Sequence, residues 1–266
     1  MCIIGCARVL LAIAVAGLGL LNLVYGNFAP IWEPLPLWLP WPSLWVYASA
    51  AMLLAASVGL LFGRTACVAT VVIGLYELLW VMARVRPVLL KPLLVSSWYG
   101  ISEAVGPLAG TWLLCALLRG PDYPSGRPLM NREGAQHVAR LLFGAACLAY
   151  GAAHFAYATY TAAMIPGWLP DHTGLAYLTG AAHVAAGLGI LVGVMPRLAA
   201  ILEATMMSLF GVLVWMPSFF AHPVPDWATP PQNQWSETLV TLLLAASAWL
   251  VAASLASREK RTRIIQ

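Results

Sequence analysis

The chain has 266 residues, of which 61% are hydrophobic and 9% charged, with a formal net charge of +4. A soluble domain is about a quarter charged, so this composition excludes a water-soluble globular fold and makes the bilayer the solvent. The sequence carries no P-loop, GxGxxG, GxSxG or HExxH pattern, so nothing in it points to nucleotide use, hydrolysis or nucleic-acid binding.

In chain order, eight apolar runs approach the roughly 20 residues that a helix needs to cross the hydrocarbon core. They are 7–28, 45–63, 66–86, 93–118, 137–160, 174–194, 197–218 and 235–256. The runs are too long and too continuously apolar for barrel strands, and a helix satisfies its backbone polar groups internally. The expectation is an all-α integral membrane protein with eight transmembrane helices. The first run has full spanning length without a strongly basic start, and reads as a retained helix rather than a signal peptide.

Charge sets the orientation. With the amino terminus in the cytoplasm, the cytoplasmic segments hold eleven Lys and Arg residues. The opposite side holds three, Arg84, Arg86 and Lys91. By the positive-inside bias both termini should be cytoplasmic, in a plasma or inner membrane, with the basic tail 257–266 on that side. The opposite segments are rich in Trp and Pro, as in IPGWLPDH at 165–172. Tryptophan favours the interface and proline stiffens short connections, so these are aromatic belts or a lid over an outward-opening pocket.

The two halves resemble each other. Arg8 pairs with Arg140, Asn22 falls on His154, and Pro36-Leu37-Trp38-Leu39-Pro40 matches Pro166-Gly167-Trp168-Leu169-Pro170. Gly59 and Gly63 match Gly189 and Gly193, Lys91-Pro92 matches His222-Pro223, and Ser102-Glu103 matches Ser236-Glu237. An even number of spans per copy keeps both copies in one orientation. The organisation expected is therefore two parallel four-helix repeats, 1–118 and 137–256, joined by a cytoplasmic linker at 119–136. Small residues such as Gly17, Gly180, Gly187 and Gly189 allow close helix approach.

A unit that opens with Arg, has a Gly-rich first helix, a Pro-x-Trp-Leu-Pro turn and an Asn-x-Trp-x-Glu start to its last helix resembles the DoxX family. Asn233-Gln234-Trp235-Ser236-Glu237 carries the last motif. The resemblance extends over 137–256, and the first half is a degenerate copy with Gly100 in place of the Trp. It implies a small four-helix membrane unit. Some members of the family are associated with thiosulfate:quinone oxidoreductase.

Ionisable residues inside spans are costly and are functional candidates by default. The spans hold Glu77, Glu103, His154, His183, Glu203 and Glu237. His154, His183 and Glu237 are expected to converge in the outer half of the second repeat, with Tyr157, Asn233 and His172 at similar depth. Glu203 is expected near the cytoplasmic end of span seven, apart from them. Such a group suits proton-coupled chemistry on a quinone or binding of a polar head group. A bare histidine pair is weak support for haem, and no metal site is expected. Two readings stay open. One is a quinone-linked redox accessory subunit with a membrane redox partner. The other is a non-enzymatic protein that binds or moves a lipid-like molecule, or scaffolds a partner. The same polar residues could equally be interhelical glue, with Glu103 and Glu237 as helix N-terminal charges. The five cysteines include no CxxC pair, and Cys67, Cys115 and Cys147 read as small apolar residues.

Overall fold

The computed structural model describes residues 2–30, 32–33, 39–119, 132–221, 225–228 and 230–265. Most of the expected linker, Pro36 to Trp38 of the first turn, and His222-Pro223 lie outside these residues. The described chain is helical: α1 (Cys2–Tyr25), α2 (Pro42–Leu61), α3 (Ala66–Leu90), α4 (Val95–Leu118), α5 (Arg132–Ala156), α6 (Ala158–Met164), α7 (His172–Val192), α8 (Pro196–Phe210), α9 (Met216–Ser218) and α10 (Pro231–Ile265). Among the described residues, eight segments are long and apolar enough to cross a membrane, with α8 continuing through a π segment and α9 as one span.

Several helices begin and end where local chemistry dictates. Asp171 adopts a left-handed conformation before α7, and its carboxylate accepts from the Gly174 N–H at 3.0 Å, satisfying a donor that the first turn leaves free. Gly193 closes α7 at φ 81°, where a side chain would be strained. Met195 and Pro196 then restart the chain as α8, with proline in the first turn, where its missing N–H costs nothing. The result is a tight antiparallel hairpin.

Two expected boundaries move. The third span continues to Leu90, because Pro87 removes only one backbone bond and the helix carries on through it. Arg84, counted above with the charges of the opposite side, lies inside this helix, as the 66–86 run already had it. It is a buried residue of α3, 8% exposed. The fifth span stops at Ala156. Tyr157 leaves helical geometry, at φ −119° and ψ 35°, and the chain resumes as the short α6, so the apolar run read as ending at 160 is broken.

The packing order is the same in both halves. α1 lies on α2, α2 on α3 and α3 on α4, just as α5 lies on α7, α7 on α8 and α8 on α10. The halves also interlock, α4 on α5, α10 on α1, and α4 on α10. α4 and α10 are the central helices, with most of their residues buried. Glycine permits the closest approaches. A Cβ at Gly187 would lie 2.7 Å from the Gly144 carbonyl, and one at Gly151 would lie 2.7 Å from that of Gly180. α5 and α7 thus meet backbone to backbone, which dispersion favours in lipid.

Beside α1, the connection to α2 folds inward. The Glu33 carboxylate accepts from Asn22 and from the Ala29 N–H, each at 2.8 Å, and from the Tyr76 hydroxyl. Trp32, Phe28 and Trp80 pack around this network. Glu33 is only 2% exposed, and burial outweighs its three donors, pushing its pKa from 4.5 up to about 7. The folded state therefore holds this proton more tightly than the unfolded chain does. The associated stability, about 3 kcal/mol, is fully present below pH 4.5 and is lost as pH rises through about 7. Thermal unfolding in detergent should show wild type losing stability between pH 5 and 8. Glu33→Gln should flatten that slope, and an unchanged slope would place its origin elsewhere.

Candidate functional site

At the end of the bundle away from both termini lies a cavity of about 720 Å³, within the usual range for small-molecule sites. α4 contributes Tyr99 and Glu103, and α5 contributes Tyr150, Ala153 and His154. Tyr157 and the α6 residues Tyr160, Thr161 and Met164 form one wall. His183 comes from α7, and Met207, Phe210 and Trp215 come from the α8 span. Asp226 and Trp227 close the outer side, and α10 adds Asn233, Glu237 and Thr241. All five candidate pocket residues, His154, His183, Glu237, Tyr157 and Asn233, thus line one space. His172 is not among the lining residues.

The close crossing of α5 and α7 creates the histidine pair. A Cβ on Gly180 would meet the His154 Cβ at 2.9 Å, so only glycine lets His154 lie along α7. The two imidazole centroids are 4.8 Å apart, and both rings contact Phe210. His154 Nδ1 donates to the Tyr150 carbonyl at 2.9 Å. A carbonyl can only accept, so Nδ1 carries the proton and the neutral ring keeps Nε2 as an acceptor. His183 Nδ1 donates to Glu203 Oε1 at 2.9 Å, which likewise commits one ring nitrogen and leaves the other.

Glu203 thus corrects the sequence reading, which set it apart from the group. It is as buried as His183, each 1% exposed. The cause is hairpin geometry. His183 and Glu203 each stand ten positions from Gly193, and residues equidistant from an antiparallel turn share a depth. That spacing was readable in the sequence. Glu203 Oε2 has no hydrogen-bond partner and borders a second space, a groove of about 490 Å³ between α7 and α8. The His183–Glu203 pair therefore stands between the cavity and a groove lined by exposed apolar residues such as Leu198 and Leu202.

The opposite wall holds a second polar cluster. Arg84 Nη1 donates to the Gly100 carbonyl at 2.6 Å and lies 3.7 Å from Glu103 Oε2. The Tyr99 hydroxyl bonds to Glu103, and the charge of Glu237 acts on both Arg84 and Glu103. One guanidinium thus faces two carboxylates where α3, α4 and α10 meet. Glu103 and Glu237 are wall residues of the cavity, beyond the helix-terminus role that position alone suggested. Tyr150, absent from the sequence-based set, bridges the two clusters. Its hydroxyl donates to the Ser102 carbonyl at 2.7 Å, and its ring packs on both Tyr99 and His183.

The π segment Gly211–Trp215 completes the aromatic wall. In a regular α-helix Phe210 and Trp215 would point roughly 140° apart, at 3.6 residues per turn. The wider i→i+5 turn brings both to the cavity, as such segments often do at functional sites. Trp215 packs edge-on against Trp227 at 5.5 Å. Hydropathy cannot reveal a π turn, so this wall was invisible in sequence.

Residues 135–216 match the model of the DoxX family. The matched stretch contains His154, His183 and Glu203 and stops before Asn233 and Glu237, so it is shorter than the 137–256 expected from the motifs. No curated protein and no solved structure matches the chain. With this match on a bundle whose described residues hold eight segments long and apolar enough to cross a membrane, the chain is an integral membrane protein that resembles the DoxX family over residues 135–216.

Proposed function

We propose that the cavity binds the head group of a quinone and that the chain handles the protons of its redox cycle as a membrane accessory subunit. The observation that carries this reading is the histidine pair, in which each Nδ1 is committed to an acceptor inside the protein. Each Nε2 is left for a ligand. Tyr150, Phe210 and Trp215 supply ring surfaces for a planar head group. In this reading a neutral His183 accepts one quinol proton at Nε2, with Glu203 stabilising the imidazolium from the other side, and His154 Nε2 takes the second. In the reverse direction the two imidazoliums return these protons to the quinone oxygens. The two electrons pass to or from a membrane redox partner. With the termini in the cytoplasm, as the positive-inside bias predicts, the cavity would face the opposite compartment.

The same pair argues against haem. Two imidazoles across one iron hold their nitrogens roughly 4 Å apart, given metal–nitrogen bonds of about 2.0 Å, and their centroids farther still. The 4.8 Å between these centroids leaves no room for a porphyrin plane. The apolar groove beside Glu203 favours the second reading, a lipid-like ligand held without chemistry.

An organic extract and optical spectrum of the detergent-purified protein test the proposal. Quinone should co-purify with wild type and fall at least tenfold in His183→Ala, with a smaller loss in His154→Ala. Equal quinone in all three proteins would remove the site. An extract that holds lipid and no quinone would transfer the cavity to the lipid-binding reading.

A further inference from the structure

A second reactive centre lies at the other end of the molecule. Cys67 occupies the first turn of α3 and Cys115 the last turn of α4. Their Sγ atoms are 3.9 Å apart. A disulfide needs about 2.05 Å, so each sulfur has about 1 Å to travel. The two thiols differ in access, since Cys67 is half-buried and Cys115 buried. Their surroundings are polar for a span. Thr70 hydrogen-bonds to Cys115 and donates to the Cys67 carbonyl at 2.7 Å, and the charge of Arg119 acts on Cys115. The pair lies on the side of the termini, remote from the histidines.

We infer that Cys67 and Cys115 form a redox-active dithiol that exchanges with small-molecule disulfides, with Cys67 as the attacking thiol and Cys115 as the resolving one. The half-buried Cys67 thiolate attacks one sulfur of a disulfide such as oxidised glutathione. The S–S bond breaks, one thiol leaves, and a mixed disulfide remains on Cys67. Cys115 gives up its proton to solvent, and its sulfur attacks Cys67 Sγ. The second thiol leaves. Two protein thiols are oxidised to one disulfide between α3 and α4, and one small disulfide is reduced to two thiols.

The test uses the full chain with Cys2→Ser and Cys6→Ser, leaving three thiols: Cys67, Cys115 and Cys147. After exposure to excess oxidised glutathione, the protein is denatured and its free thiols are counted by maleimide mass shift. The count should fall from three to one, with no glutathione retained and a peptide linking Cys67 to Cys115. With Cys115→Ser added, two thiols should fall to one, and one glutathione should remain on Cys67. With Cys67→Ser added instead, both thiols should stay free. Three thiols surviving in the parent, a bridge to Cys147, or glutathione lodged on Cys115 would each overturn the assignment.

Discussion

Arg84→Met should destabilise the protein by about 3–5 kcal/mol, the range for leaving a buried charge without its partner. Among the described residues, this guanidinium is the cation placed with Glu103, Glu237 and the Gly100 carbonyl. Methionine keeps much of its volume, so the loss comes from charge rather than packing. Two carboxylates would then face each other in a low-dielectric wall, and the Gly100 carbonyl would lose its 2.6 Å donor. Glu103→Gln should recover part of the loss in the Arg84→Met background, because it removes one of the two stranded charges. The pair of variants forms a double-mutant cycle that thermal unfolding in detergent can read. Wild-type stability in Arg84→Met would mean that water reaches these carboxylates and solvates them.

Gly110→Ala should cost about 1–3 kcal/mol, the usual range for overpacking. Gly110 sits on α4 where it crosses α10. A methyl group there would lie 2.7 Å from the Ser247 Cα and closer still to its Cβ and Oγ. Backbone cannot rotate aside, so the two central helices would have to separate. Their separation would disturb the wall that holds Glu103 and Glu237. Ser247→Gly should restore part of the stability of Gly110→Ala by removing the nearest atoms. A neutral Gly110→Ala would show that α4 and α10 cross less closely than described.

The spans were legible because each is a long apolar run, and length with hydropathy is what a bilayer selects. His154, His183, Tyr157, Asn233 and Glu237 could be grouped because helix depth follows from position along a span. Three features lay beyond that reasoning. Arg84 was counted with the charges of the opposite side and left out of the ionisable residues inside spans, yet it is buried within α3. Glu33 lay in a connection and drew no notice, although Asn22, Ala29 and Tyr76 all turn toward it. Glu203 was assigned a depth from its own helix alone. Counting outward from Gly193 on both arms brings it level with His183. Hydropathy records whether a residue suits lipid, and it is silent on which polar partner stands opposite.

The interlocking of α1 with α10 constrains the order of biosynthesis. Gln232 donates to the Phe28 carbonyl at 3.2 Å, across 204 positions of chain. Ser236 donates to the Pro30 carbonyl at 3.0 Å. At about 5–20 residues per second, the ribosome needs roughly 10–40 s to make the helix that supplies these donors. During that interval α1 is already in the membrane with one flank unmatched. The first four helices must therefore wait, held by the insertion machinery or by lipid, until the last helix arrives. A nascent chain truncated before α10 should leave α1 open to crosslinking by membrane chaperones, and release of the full chain should close it.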